Sequence, residues 1–192
     1  MRLPDFPQPV VQAPMGGGPS TPALTAAVSA AGGLGFLAAG YKTADAVREE
    51  IQEVRFRTSA PFGVNLFVPS GGSPAGRADV DRYAAELAVE ADRYRVPLGT
   101  PLSDDDGWSA KLAVVTDERV PVVSFTFGCP SEQVVDSLHR ARSAVAVTVT
   151  SPDEARAATA VGADALVVQG LEAGAHQGSF VDSDDDERFG LL

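Results

Sequence analysis

The sequence predicts an α/β fold built on a parallel sheet, and three observations predict it. Short apolar segments alternate along the chain with longer segments of helical period. The short segments are apolar at nearly every position, which indicates strands buried on both faces and therefore a parallel sheet covered by helices. Polar residues recur directly after these strands, where a parallel sheet presents its carboxyl ends.

Six strands are predicted, each followed by a helix or a loop. The strands span 9–15, 34–40, 62–68, 120–128, 143–150 and 164–170, and the helices span 21–33, 43–58, 79–94, 108–119, 131–141 and 151–162. Ser20 or Thr21, Thr43 and Ser151 are the expected helix N-caps, because their hydroxyls accept hydrogen bonds from the first turn. The stretch 70–77 is rich in glycine and serine and is expected to be a flexible connection.

Two architectures fit such an alternation, an open doubly wound sheet and a (β/α)8 barrel. The recurrence of polar residues after strand upon strand favours the barrel, because there the strand ends converge on one face. The dinucleotide fingerprint is missing: Gly33 and Gly35 are followed by alanine at position 38, and they precede a strand. No phosphate-binding loop with a lysine occurs either. The fold class is therefore an α/β fold of the (β/α)8 TIM-barrel type, incomplete, with about six of eight βα units.

The composition of the chain limits the classes of partner, location and metal site that can be expected. The formal charge of −11 argues against nucleic acid, whose binding depends on clustered Lys and Arg. The sequence has no run of about 18 apolar residues and no signal-peptide core at its start, so a cytoplasmic protein that does not enter a membrane is expected. Cys129 is the only cysteine and is expected to be a small buried apolar residue; the acidic runs 104–106 and 184–186 are read as solvated charge, and no metal site is predicted.

Three separated motifs occur in a recognisable order. They are VVQAPMGGGPSTPALTAAVSAAGGLGFLAAGY at 10–41, PFGVNLFVP at 61–69 and VVQGLEAGAHQGSF at 167–180. Together they resemble the nitronate monooxygenase family, formerly called 2-nitropropane dioxygenases. The resemblance implies a TIM barrel that binds FMN and oxidises alkyl nitronates or nitroalkanes with O2 to a carbonyl compound and nitrite.

The resemblance also implies roles for particular residues. Ala13, Pro14 and Met15 match the loop along the flavin ring, Asn65 matches an asparagine that hydrogen-bonds the flavin, and Gln169 and Gly174 match further FMN contacts. His176 matches the active-site histidine. A histidine suits that role because its ordinary pKa lies near neutrality, so it can accept a proton from a nitroalkane or donate a hydrogen bond to a nitro group. The other histidine, His139, is expected to be a solvated helix residue.

The sequence departs from the family pattern in two ways. Ala175 stands where the family has a second glycine, and if the position needs a positive φ, alanine costs about 1 kcal/mol. A TIM barrel also takes about 250 residues, and strands seven and eight, which carry the phosphate loops of the family, have no counterpart here.

Residues 1–192 are therefore expected to be the single N-terminal portion of an FMN-binding barrel domain. Three explanations are left open: a fragment of a longer enzyme, which we favour, a second chain or homo-oligomer that supplies the missing strands, or an inactive remnant. The chain by itself is expected to bind FMN weakly. The alternative activity is that of a flavin-dependent enoyl-acyl-carrier-protein reductase, since such enzymes share the Q-A-P-M and E-A-G-x-H patterns.

Overall fold

The computed structural model describes residues 3–69, 76–102, 104–181 and 189–191. Within these residues the chain forms six helices and five strands. The strands are β1 (Gly35–Ala38), β2 (Phe62–Phe67), β3 (Val122–Thr126), β4 (Ala144–Val149) and β5 (Ala165–Val168), and the helices are α1 (Pro22–Ala30), α2 (Ala44–Arg57), α3 (Arg77–Tyr94), α4 (Trp108–Asp117), α5 (Glu132–Arg140) and α6 (Pro152–Ala160).

All five strands are parallel and lie in the order in which they occur in the chain. A doubly wound sheet reverses its strand order at a switch point, whereas a barrel adds each strand beside the last. Right-handed crossovers between neighbours in such an order place the helices on a single face. The predicted α/β fold of barrel type is confirmed, with five strands of an incomplete barrel in the described residues.

The first predicted strand, 9–15, is wrong as a strand. The segment makes one isolated parallel bridge, between Val11 and Leu34. Pro9 and Pro14 lack the N–H groups that would extend a ladder on either side of it. The side chain of Gln12 takes over instead, because its Oε1 accepts a hydrogen bond from the Phe36 N–H at 3.0 Å. The segment still lies against the open edge of β1, the place that the prediction gave it.

Two apolar layers enclose the sheet. The outer one packs the strands against the helices, and Ile51 of α2, Val115 of α4 and Leu138 of α5 are fully buried in it. The inner one is a small cluster of Leu34, Phe36 and Val122, against which Leu3 and Phe6 of the N-terminal segment pack. The N-terminal segment thus closes the amino-terminal end of the strands and leaves the carboxyl ends for a site.

Local signals set the helix starts. Thr21, Thr43 and Ser151 accept hydrogen bonds from the N–H groups of Leu24, Ala46 and Glu154, as the sequence predicted. Ser20, the alternative cap of α1, instead lies buried in the loop before the helix. Most of the predicted flexible stretch 70–77 lies outside the described residues. In the described part of the chain, no helix is both long and apolar enough to cross a membrane.

The last strand is the least covered one. Leu166, Val167 and Val168 of β5 are 37%, 48% and 60% exposed, although the strand is apolar throughout. Successive side chains point to opposite faces, so both faces of β5 are open. In the described residues, β4 is the only strand paired with it.

Candidate functional site

A row of polar side chains crosses the inner face of the sheet near the carboxyl ends of three strands. The Asn65 amide of β2 donates from Nδ2 to Ser124 Oγ at 2.9 Å and to Thr126 Oγ1 at 3.0 Å, both on β3. Thr126 Oγ1 lies 3.3 Å from Thr148 Oγ1 on β4. Because buried polar groups need partners, this row fixes the Asn65 side chain in one orientation. It leaves Oδ1 as the acceptor of that amide.

The glycine-rich loop after β5 folds back over this polar row. Gln169 holds it at two points: its Oε1 accepts from the Gly178 N–H at 2.6 Å, and its Nε2 donates to the His176 carbonyl at 3.0 Å. Gly178 is buried, and a Cβ there would lie 3.0 Å from Thr148 and 3.2 Å from Thr126. A side chain at residue 178 would therefore press against the row, and glycine lets the loop lie close to it.

A carboxylate anchors the far end of the same loop. Glu154, in the first turn of α6, accepts from the Phe180 N–H through Oε1 at 2.6 Å. Its Oε2 accepts from the Thr150 N–H at 2.6 Å and from the Thr150 hydroxyl at 2.9 Å. The loop is thus held by Gln169 at its start and by Glu154 at its end. The only sequence signal for the second anchor is an acidic residue in the first turn of a helix.

His176 lies exposed on this loop. Its ring packs edge-on against Phe127, with the ring centroids 6.4 Å apart and the planes at 82°. Gly174 borders open space, since a Cβ there would meet nothing within 4 Å. Ala175 has a φ of 68°, so the condition stated for the missing glycine is met and the alanine is strained. The loop presents the imidazole ring to the carboxyl-terminal face of the sheet.

The segment 13–15 lies at the same face, beside β1. Ser20 Oγ accepts from the Met15 N–H at 2.8 Å and from Gln12 Nε2 at 2.9 Å. Gln12 in turn accepts from the Phe36 N–H of β1. Two polar side chains that the motif match did not single out therefore fix the segment, which leaves Ala13 and Met15 exposed and Pro14 half-buried.

The predicted site residues lie on one face of the molecule. Asn65 and Gln169 are on the inner side of the sheet, Gly174 and His176 are on the loop above it, and segment 13–15 lies at the β1 edge. The amide of Gln169 is engaged by the loop backbone at both ends, so the contact that it makes in this structure is with the His176 loop. Its predicted contact with a flavin stays a prediction.

His139 is not the solvated residue that the sequence predicted. It is half-buried, and its Nε2 lies 2.8 Å from Oδ2 of Asp164, at the amino-terminal end of the sheet. Burial by itself would raise the pKa of Asp164, but the hydrogen bonds to its carboxylate, those from the Val145 N–H and the His139 ring among them, together outweigh burial and hold that pKa below its ordinary value. The prediction failed because its partner, Asp164, is 25 residues away in the chain.

In the acidic run 104–106, Asp104 and Asp105 are exposed, as predicted, and only Asp106 differs from the prediction. Asp106 is half-buried and pairs with Lys111, whose Nζ lies 2.7 Å from Asp106 Oδ1 and whose side chain is 2% exposed. The same Oδ1 accepts from the Tyr41 N–H at 2.9 Å. The run 184–186 lies outside the described residues. Among the described residues, no three His, Cys, Asp or Glu side chains come together as a metal site would require.

Cys129 packs as an apolar residue, as predicted, but it is half-buried and not fully buried. The thiol packs against the outer core, and burial raises its pKa, which disfavours the reactive thiolate.

Sequence reasoning missed three aromatic residues at the site. Tyr41, Phe67 and Phe127 follow or end β1, β2 and β3, and their rings meet in series. Tyr41 and Phe127 have φ values of 66° and 67°, a conformation that bulky residues rarely adopt. Such strain concentrates at functional sites. The only signal in the sequence was that all three stand where polar residues were sought, at strand carboxyl ends.

The fold and the site together define the class of protein to which this chain belongs. It is an α/β protein of barrel type with a histidine on a glycine-rich loop at the strand carboxyl ends, where barrel proteins form their active sites. The chain belongs to the nitronate monooxygenase family, whose model matches residues 3–192.

Individual relatives agree with this assignment. The chain is 42% identical to a probable nitronate monooxygenase of Staphylococcus haemolyticus over 176 residues, which cover 90% of this chain and 48% of the relative. It is 40% identical to a nitronate monooxygenase of Paraburkholderia phytofirmans over 189 residues, 96% of this chain and 51% of the relative. The chain thus spans about half the length of the curated relatives it matches.

Solved structures give the same result. A nitroalkane oxidase from Streptomyces ansochromogenes superposes with a TM-score of 0.90 at 54% identity, over 97% of this chain and 53% of that one. FabK from Thermotoga maritima is less similar, with a TM-score of 0.64 at 29% identity over 90% of this chain and 44% of that one.

Proposed function

We propose that this chain forms the histidine-bearing half of the site of an FMN-dependent enzyme that oxidises alkyl nitronates or nitroalkanes with O2 to a carbonyl compound and nitrite. The observation that carries the proposal is the position of His176 on a loop anchored by Gln169, above the polar row and at the carboxyl-terminal face of the family fold. FMN, when bound, supplies the redox chemistry.

The residues present fit a flavin. Gly17, Gly18 and Gly174 border open space, so the backbone at the three positions can approach a flat ring system closely. Asn65 Oδ1 is an acceptor on the inner face of the sheet, and segment 13–15 lies at the same face of the molecule with Ala13 and Met15 exposed. We infer that Ala13, Pro14, Met15, Asn65 and Gly174 contact the cofactor, and that Gln169 does so through the backbone that it positions.

His176 has a defined task in this proposal. An exposed imidazole can accept a proton from the carbon next to the nitro group of a neutral nitroalkane, or donate a hydrogen bond to a nitro oxygen. The first task is needed only for neutral nitroalkanes, because a nitronate has already lost that proton. Phe127 holds the ring edge-on and limits its orientation.

The test uses the two histidines of the chain as a matched pair. His176→Gln should lower kcat/KM for neutral nitroethane by about 10²-fold or more, the usual worth of a general base, and should lower it much less for ethyl nitronate. His139→Gln, at the opposite end of the sheet, should leave both values unchanged. Oxygen uptake and nitrite release are measured in the full-length, FMN-loaded protein. Equal losses on both substrates would remove proton abstraction from the role of His176.

The enoyl-thioester reductase predicted as the alternative is not favoured. The relatives named for nitronate oxidation share 40–42% identity with this chain, and the nitroalkane oxidase superposes far better than FabK does. NADH oxidation with a crotonyl thioester, compared with oxygen uptake on propyl nitronate, separates the two activities. Turnover of neither would support the inactive-remnant explanation.

We also propose two further properties of the chain, which concern its affinity for FMN and its location in the cell. The 192-residue chain by itself should bind FMN weakly, and stoichiometric visible flavin absorbance in the purified chain would contradict this. A cytoplasmic location is supported by the single unpaired cysteine, which suits a reducing compartment.

A further inference from the structure

We propose that the aromatic row, formed by the rings of Tyr41, Phe67, Phe127 and His176, is the wall along which the hydrocarbon part of the substrate lies. The inference rests on the proposed function and specifies its substrate class: nitronates with an extended apolar or aryl substituent, rather than compact ones such as ethyl nitronate. The row would then determine specificity, while His176 alone in it would act on the nitro-bearing end.

The row is continuous. The Tyr41 and Phe67 centroids are 5.6 Å apart, those of Phe67 and Phe127 are 4.9 Å apart, and those of Phe127 and His176 are 6.4 Å apart. All three contacts are edge-to-face, with interplanar angles of 65–82°, which is a favourable arrangement for aromatic rings. One end of the row is therefore the candidate catalytic ring, and the remainder is hydrocarbon surface that leads away from it.

The other end of the row reaches the segment assigned to the cofactor. A Cβ on Gly16, directly after segment 13–15, would lie 3.6 Å from Cε2 of Tyr41. Tyr41 itself is 76% exposed, and Phe67 and Phe127 are half-buried. The row thus extends across the open face from the proposed flavin loop to His176. A molecule that reacts between those two must lie beside it.

The protein holds the row in place at a cost. Tyr41 and Phe127 adopt positive φ values, and the Tyr41 N–H is fixed by Asp106, whose carboxylate is paired with the buried Lys111. Gly40 has no side chain where the Phe67 ring lies, since a Cβ there would come within 2.3 Å of Phe67 Cε2. Strained aromatic residues with dedicated supports indicate a surface used for binding.

The chemistry of the row selects its ligand. Its one polar side-chain atom outside His176 is the Tyr41 hydroxyl, and none of its three carbocyclic rings carries a charge. Hydrocarbon gains from such a surface with each methylene that it covers. An alkyl or aryl chain is therefore the complementary occupant, with the nitro group at His176.

Binding can be measured without turnover. Carboxylates share the planar, two-oxygen end of a nitronate and do not react, so calorimetric titration of propionate, hexanoate and decanoate into the full-length, FMN-loaded protein tests the row directly. Full burial of one methylene is worth roughly fourfold in affinity, and a methylene covered on one side only gains about half of that free energy, or roughly twofold. Hexanoate has three methylenes more than propionate, so it should bind about tenfold more tightly, and decanoate more tightly still.

The row makes a prediction that depends on position. Phe127→Ala, next to His176, should reduce the preference for hexanoate over propionate to about threefold or less. Tyr41→Ala, at the far end, should leave that preference unchanged and abolish the additional gain of decanoate, and Tyr41→Phe should retain it. Phe56→Ala, which removes a 91% exposed ring near the C-terminal end of α2, is the matched control.

The outcomes separate the inference from the proposed function. A wild-type protein that binds the three acids equally, or Tyr41→Ala with an undiminished gain of decanoate, overturns the row as a binding wall. Because Tyr41 is exposed, that variant does not disturb the core, and it decides the question even if Phe127→Ala does not fold. If the row binds as expected but no nitronate is oxidised, the proposed function fails alone. KM for hexyl nitronate should also rise in Phe127→Ala.

Discussion

Ala175 holds a left-handed backbone directly before the candidate catalytic histidine. Its φ of 68° is one that alanine adopts at a cost, and glycine at little cost. The loop retains this conformation because Gln169 and Glu154 fix it on both sides. The hydrogen bonds of these two anchors therefore offset the strain at Ala175.

Replacing this alanine should stabilise the protein. Ala175→Gly is expected to raise the free energy of unfolding by about 0.5–1 kcal/mol, because relief of the positive φ exceeds the entropy that glycine adds to the unfolded chain. The control is Ala157→Gly in the exposed middle of α6, which should lower it by about 1 kcal/mol. Denaturant titration gives both values, and a loss in both variants would show that residue 175 is unstrained.

The Gln169 anchor should be visible in hydrogen exchange. Gln169→Ala removes the acceptor of the Gly178 N–H and the donor to the His176 carbonyl. Each such bond is worth about 1 kcal/mol, so we expect the exchange rate at Gly178 to rise about fivefold or more. Exchange in β3 should be unchanged. An unaltered rate at Gly178 would mean that the loop is held by something other than Gln169.

At the scale of elements, the link between α5 and the start of β5 should make stability depend on pH. The pKa of Asp164 is lowered in the folded protein from its ordinary 3.8. Its contribution is therefore fully present above about pH 4 and is lost as the pH falls through the lowered value. Asp164→Asn should reduce stability at neutral pH and remove this part of the acid dependence.

A surface carboxylate provides the control for that experiment. Asp153 pairs with Arg156 in α6, but its side chain is 93% exposed, so Asp153→Asn should change little. Thermal unfolding from pH 3 to pH 7 compares the variants. Equal acid sensitivity of Asp164→Asn and the wild type would contradict the role assigned to Asp164.

The elements show what the sequence could predict. Five strands, their parallel arrangement and the caps at Thr21, Thr43 and Ser151 follow from apolar runs and local hydroxyls, which act over a few residues. The prediction of a strand at 9–15 was wrong because the apolar composition of the segment favours a strand, whereas its two prolines lack the N–H groups that a strand needs. His139 was misjudged because its partner is distant in the chain.

The candidate site was predictable to the same extent. Asn65, Gln169 and His176 lie at the carboxyl-terminal face of the sheet, as their positions late in or just after a strand predict, and their roles stay predictions. The aromatic row was not predicted. It depends on neighbouring strands that place Tyr41, Phe67 and Phe127 side by side. It also depends on positive φ values at Tyr41 and Phe127, and a tyrosine or a phenylalanine in a sequence does not predict a positive φ, whereas a glycine can.

At the scale of the whole molecule, the edge of β5 that has no strand partner among the described residues should cause association of the 192-residue chain. Exposed apolar strands with an unpaired edge add further strands readily. Val168→Lys on this strand should reduce association measured by sedimentation velocity. Val89→Lys, at a 71% exposed valine of helix α3, should have little effect. A wild-type chain that stays monomeric at high concentration would contradict the prediction.

The sequential order of the strands has a consequence for how the protein is made. Each strand pairs with the one synthesised just before it, so no pairing from β1 to β5 has to wait for a strand that is made later. During synthesis the nascent chain can add one βα unit at a time from its N-terminus, and the surface ready for the next unit is always the newest strand. The strands that carry the polar row are therefore synthesised before the loop that bears His176. The loop can fold directly onto a sheet that has already formed.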